Sequence, residues 1–110
     1  MADIADTIRE TVEQNKVVLF MKGSKLFPQC GFSARAVEVL KKSGVAFKDV
    51  NILSDPALRQ GIKDFSNWPT IPQVYIGGKF IGGSDILLEM FESGELKKTL
   101  EAAGALEASK

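Results

Sequence analysis

Apolar residues in this chain repeat at two periods. Ile4, Ile8 and Val12 recur every fourth position, the spacing that lines one face of a helix. They predict an amphipathic helix over Ala2 to Gln14. Lys16 to Met21 carries the longest unbroken apolar run, Val17-Val18-Leu19-Phe20-Met21, which has the length of a buried strand. Lys22 to Gln29 contains Gly23, Ser24 and Pro28 and reads as a loop. A second helix is expected from near Cys30, with Ala34, Val37 and Leu40 inward and Ser43-Gly44 closing it. Val45 to Val50 reads as a strand. Ser54-Asp55-Pro56 is a helix start: a capping side chain, then a proline where the missing N–H costs nothing. Leu58, Ile62 and Phe65 make the apolar face of that third helix.

Pro72 to Ile76 and Lys79 to Ile81 flank Gly77-Gly78, a two-residue hairpin signal. Gly82-Gly83-Ser84-Asp85 opens a fourth helix with Leu87, Met90 and Phe91 inward, and Gly94 breaks it. Leu96, Leu100 and Ala103 support a last short helix. The tail from Glu101 to Lys110, rich in Ala and Glu, is expected to fray. The order is α-β-α-β-α-β-β-α-α. A β-α-β unit implies parallel pairing with a right-handed crossover, and the hairpin adds an antiparallel pair. The expected class is therefore α/β: one domain over residues 1–110, structured over about 4–103, with a four-stranded mixed sheet flanked by helices on both faces.

Composition narrows the chemistry. Lys plus Arg and Asp plus Glu are 14 each, so no global charge points to nucleic acid or an anionic membrane. No apolar run is long enough to span a bilayer. Met1-Ala2-Asp3-Ile4 lacks the basic and apolar regions of a secretory signal. With 0 histidines, His-based zinc sites, Cys-His catalysis and a histidine general base are all excluded. With 1 cysteine, no intrachain disulfide forms.

That cysteine, in Pro28-Gln29-Cys30-Gly31-Phe32-Ser33, falls at the turn between a strand and a helix. Free N–H groups and the helix dipole there favour a thiolate, and Lys22 and Lys25 add positive potential. The alternative is an inert buried cysteine, but a loop flanked by Pro28 and Gly31 is a poor place to bury one. Trp68-Pro69-Thr70-Ile71-Pro72 is either a plain strand entry or a rigid turn with a cis bond before Pro72. The cis form would leave the Ile71 backbone free to pair with an extended peptide-like ligand. Gly82-Gly83-Ser84-Asp85 is either a simple cap or a nest for a carboxylate. Arg59, Lys63 and Lys22 read equally as solvated cations.

Taken together, Phe20-Met21-Lys22-Gly23, the segment around Cys30, Arg59-Gln60-Gly61-Ile62-Lys63, Trp68 to Gln73 and Gly82 to Asp85 resemble the monothiol glutaredoxins of the Cys-Gly-Phe-Ser type. The likeness covers about Ile4 to Leu100. It implies a thioredoxin fold with glutathione beside Cys30. Lys22 and Arg59 would hold a glutathione carboxylate. The Ile71 backbone, before a cis Pro72, would pair with the cysteinyl part, and Ser84 and Asp85 would take the γ-glutamyl end.

The resemblance further implies a [2Fe-2S] cluster bridging a homodimer, with Cys30 as the iron ligand. Such a cluster takes four ligands; two chains bring two thiolates and two glutathiones complete the set. Apo iron–sulfur proteins as recipients, BolA-like proteins as partners, and a reducing compartment (bacterial cytoplasm, mitochondrial matrix or plastid stroma) follow from the same likeness. Ser24-Lys25 stands where many relatives have Thr-Pro, a change expected to loosen the loop. Ser84 stands where many have a second cysteine. Ser33 stands where dithiol relatives carry the resolving cysteine, so Cys30 works without one. The functions in view are a cluster carrier, a glutathione-dependent disulfide oxidoreductase acting through Cys30, and a thioredoxin-fold adaptor without such chemistry.

Overall fold

The computed structural model describes residues 3–106. The helices are α1 (Ile4–Gln14), α2 (Gly31–Lys42), α3 (Pro56–Ser66), α4 (Ser84–Ser93) and α5 (Glu95–Ala102). The strands are β1 (Val17–Met21), β2 (Lys48–Asn51), β3 (Gln73–Ile76) and β4 (Lys79–Gly82). The sheet order is β2-β1-β3-β4, with β1 parallel to β2 and antiparallel to β3. This is the expected mixed four-stranded sheet of a thioredoxin-like fold.

Strand β1 is central, and all five of its residues are buried. Its side chains alternate between two cores, as the period of a strand requires. Val17, Leu19 and Met21 join Val37, Leu40, Leu87 and Leu96 under α2, α4 and α5. Val18 and Phe20 join Ile8, Val12 and Ile62 under α1 and α3. Strand β3 divides in the same way, with Val74 and Ile76 on the first side and Tyr75 on the second. A one-residue slip of either strand would exchange every one of these contacts.

Local chemistry ends the elements where expected. Asp55 caps α3 by accepting the Ala57 N–H at 2.9 Å, with Pro56 in the first helical position. Gly77 and Gly78 take φ of 60° and 79°, the left-handed pair a type I′ hairpin needs.

Four details differ from the pattern reading. In α2 the buried positions are Ser33, Ala36, Val37, Val39 and Leu40, so Val37 and Leu40 face inward as expected, whereas Ala34 is exposed. Phe91 was expected inward but lies exposed on a shallow groove between α2 and α4, beside Arg35 and Leu88. Strand β2 is shorter than Val45 to Val50: Val45 and Phe47 are buried yet precede the ladder, and a single 3-10 turn at Ile52–Ser54 follows it.

The described part of the tail, residues 101–106, packs back on the fold instead of fraying from Glu101. Gly104 turns back with φ 74°, and the Ala105 N–H donates to the Leu100 carbonyl at 2.9 Å. Ala103, Ala105 and Leu106 then pack on the core. Lys16 Nζ donates to the Gly104 carbonyl at 2.8 Å, tying the tail to the start of β1. Residues 107–110, and Ala2 at the other end, lie outside the described residues.

Candidate functional site

The loop after β1 is a small closed hairpin. The Gln29 N–H donates to the Lys22 carbonyl at 2.9 Å, Gly23 bridges Pro28, and the Phe27 N–H donates to the Ser24 carbonyl at 3.1 Å. Gly23 has φ 90°, and a Cβ there would stand 2.5 Å from the Phe27 oxygen, so only glycine fits. The loop is moored to β2. Asn51 Oδ1 accepts the Gly23 N–H at 3.0 Å and also the Leu53 N–H at 2.9 Å. Asp49 Oδ2 accepts the Lys25 N–H at 2.9 Å. Lys25 Nζ donates to the Phe47 carbonyl at 3.2 Å and lies 5.0 Å from the centre of its ring. The loosening expected from Ser24-Lys25 is therefore not what is seen: Lys25 supplies a backbone N–H that proline lacks, and its ammonium adds a second tether. Leu26 and Phe27 project from the tip, more than 70% exposed.

Cys30 ends this loop in the N-cap position of α2, half-buried. Its sulfur makes no close capping hydrogen bond. Its pKa is nevertheless lowered. The Ser33 backbone N–H is the largest cause; partial burial opposes it, and the Phe32 N–H, the Lys22 ammonium and the Ser33 hydroxyl act in the same direction as Ser33 N–H. These groups gain energy only from the thiolate, which is how a helix N-terminus acidifies a thiol. Ser33 is fully buried, and its Oγ accepts the Lys22 N–H at 3.1 Å. It fastens the end of β1 to the first turn of α2, so Lys22 and Cys30 keep a fixed separation.

Opposite this edge runs the segment from Trp68 to Pro72, with a cis bond between Ile71 and Pro72. The ladder with β1 begins at Gln73, so the Ile71 backbone lies beyond the last paired residue. Trp68 packs on Phe80 at 5.7 Å between ring centres, and Phe80 on Tyr75 at 5.5 Å. Ser84 and Asp85 form the first turn of α4, with Gly83 as its cap and Ser84 buried.

These segments enclose one cleft of about 640 Å³. Lys22, Cys30, Arg59, Ile71, Pro72, Ser84 and Asp85, all singled out from the sequence, line it together. Lys63, Phe32, Trp68, Thr70 and Ile86 also line it. Lys63 was legible in principle, one helical turn after Arg59. Ile86 carried no signal, since an apolar residue in a first helical turn reads as core. The cations Lys22, Arg59 and Lys63 take no part in the ion pairs found among the described residues, Arg9–Asp6 and Lys42–Glu38. Among the described residues no group of three or more His, Cys, Asp and Glu side chains could hold a metal ion.

Comparison with known proteins agrees with this arrangement. The family described as glutaredoxin matches residues 17–81. A monothiol glutaredoxin of Synechocystis is 54% identical over 96 residues, covering 87% of this chain and 90% of the relative. The chloroplastic monothiol glutaredoxin-S14 of Arabidopsis thaliana is 56% identical over 100 residues, covering 91% of this chain, which spans 58% of that protein's length. Among solved structures, reduced apo GrxS14 of poplar superposes with a TM-score of 0.80 at 52% identity, covering 91% of this chain and 92% of that one. A buckwheat glutaredoxin in complex with glutathione superposes with a TM-score of 0.83 at 25% identity, covering 94% and 92%. With a family match over most of the sheet, relatives above half identity and a single thiol at the head of α2, the chain belongs to the glutaredoxin family and is of its monothiol type.

Proposed function

We propose that this protein holds glutathione in the cleft beside Cys30 and, as a homodimer, carries a [2Fe-2S] cluster to apo iron–sulfur proteins. The observation that carries the reading is the convergence, in one cleft, of a thiol with a lowered pKa, three cations outside the ion pairs found among the described residues, a backbone edge beyond the β1–β3 ladder and a helix start. Glutathione is an extended peptide with a carboxylate at each end, and each feature suits one part of it. Lys22 and Arg59, joined by Lys63, suit the glycyl carboxylate. The Ile71 backbone, held by Pro72, suits the cysteinyl amide groups. The N–H groups at the start of α4 with Ser84 suit the γ-glutamyl carboxylate, and Asp85 suits its ammonium. The glutathione thiol then lies towards Cys30.

The cluster is cargo, and the donor set fits it only with help. Four ligands are needed, and one chain supplies one thiolate and no histidine. Cys30 from two protomers and two glutathione thiolates make four. Ligands of which half are not covalently part of the protein suit release to an acceptor. BolA-like proteins are proposed as partners that share the bound cluster. A compartment that keeps thiols reduced is required, since Cys30 and glutathione must both be available as thiolates.

Reconstitution with iron, sulfide and reduced glutathione, air excluded, is expected to give a brown dimer, and Cys30→Ser a colourless monomer. A colourless monomeric wild type would overturn the reading.

The lowered pKa of Cys30 favours a second activity. The Cys30 thiolate would attack the glutathionyl sulfur of a mixed disulfide and release the other thiol. A second glutathione thiolate would then attack the Cys30 disulfide, leaving oxidised glutathione and free Cys30. Slow turnover in a steady-state mixed-disulfide assay is expected; fast turnover would make this the main activity.

A further inference from the structure

Gln73 is fully buried, and its side-chain amide is bonded at both ends. Its Nε2 donates to the Trp68 carbonyl at 3.1 Å and to the Thr70 carbonyl at 3.2 Å. Its Oε1 accepts the Tyr75 hydroxyl at 3.4 Å. The partners fix the amide's orientation: two carbonyls can face only the NH₂ end. Burial pushes the Tyr75 phenol up to about 12, so it is a donor at neutral pH. The other side of the Trp68 peptide is also held. The Trp68 N–H donates to Ser66 Oγ at 3.1 Å and to the Lys63 carbonyl at 3.2 Å.

The segment these bonds hold is the cleft wall itself, since every residue from Trp68 to Pro72 lines the cleft. It has little means of holding itself. Pro69 and Pro72 have no N–H to donate, and no ladder reaches it, because β3 begins at Gln73. An aliphatic residue at 73 would fill the same buried space without reaching either carbonyl.

We propose that Gln73 is the positioning residue of the ligand cleft: its amide, bonded to the Trp68 and Thr70 carbonyls, fixes the Trp68–Pro72 wall and with it the Ile71 backbone that the ligand pairs with. The proposal rests on the glutathione reading for its ligand, but not for its structural content. Gln73 itself is not among the residues that line the cleft.

Gln73→Met keeps size and apolar packing while removing both donors and the acceptor. Trp68 is the only tryptophan, so its emission reports on the wall. In Gln73→Met the emission is expected to shift to the red and the near-ultraviolet circular dichroism of the indole to weaken. Glutathione affinity, by titration calorimetry, is expected to fall roughly tenfold, the worth of a hydrogen bond or two. The rate of Cys30 alkylation, set by the other edge of the cleft, is expected to stay within twofold of wild type.

A folded Gln73→Met with wild-type emission and affinity would overturn the proposal. So would a lower melting temperature with neither readout changed, the mark of a merely structural role. If Gln73→Met fails to fold, Gln73→Leu decides, since it too removes the NH₂ that both carbonyls face. A red shift with a several-fold loss of affinity supports the proposal, and no change in either overturns it. A wild type that binds no glutathione would remove the proposed function, and the emission arm would still test Gln73.

Discussion

Cys30 gains its reactivity from neighbours that the sequence places only by order. The Ser33 and Phe32 N–H groups come with the helix start, whereas Lys22 is brought near by the closed loop and the Ser33–Lys22 hydrogen bond. The sign follows directly. These groups favour the charged form, so the thiolate fraction at neutral pH is larger than that of an ordinary thiol. Cys30 alkylation measured against pH should have its midpoint below the ordinary thiol value, and Lys22→Met should move that midpoint up. A midpoint unmoved by Lys22→Met would mean the ammonium does not act on the sulfur. The same residue scale shows what composition hides. Ser33 was legible as the absence of a resolving cysteine; its hydrogen bond to the β1 end was not, because it joins residues 11 positions apart.

At the scale of elements, the loop between β1 and α2 carries the site, and β2 carries the loop. Asn51 uses a single oxygen for two backbone donors, Gly23 and Leu53. Asn51→Ala leaves the N–H of Gly23, a buried residue, without its acceptor. The cost should be about 1–3 kcal/mol in denaturant unfolding. Asn51→Asp keeps the acceptor and should recover most of the stability; equal losses in both variants would show that the oxygen is not what matters. Helix α2 shows where pattern reading slips. Its existence, its end and its inward Val37 and Leu40 were readable, but the first turn turns a polar residue, Ser33, inward where Ala34 was expected.

At the scale of the molecule, the sheet separates two cores and leaves the cleft along one edge of the fold. Lys22 follows β1, Cys30 caps α2, Arg59 and Lys63 ride on α3, Pro72 precedes β3, and Ser84 opens α4. No two of these segments are contiguous, so the site exists only when the whole sheet is in register. The C-terminal turn belongs to the same unit, because Leu106 packs on the core beneath α5. Leu106→Ser should lower stability by about 1 kcal/mol, a fall in Tm of several degrees for a domain of this size. Calorimetry showing no shift would place Leu106 outside the cooperative core.

The sequence by itself determined the element order, the buried first strand, the Asp55 cap, the lone thiol at a helix start and the segments that converge on it. These are local matters of side-chain period, backbone freedom and donor count, and neighbouring residues decide them. The tertiary structure alone decided the inward turn of Ser33, the packing of Ala105 and Leu106, the mooring of the Lys22 to Gln29 loop on Asp49 and Asn51, and the joining of Lys63, Phe32 and Ile86 to the cleft. Each of these is a contact across distant segments. Gln73 reads in the sequence as one more strand residue, yet it holds the cleft wall, because only the folded chain brings two orphan carbonyls within reach of its amide.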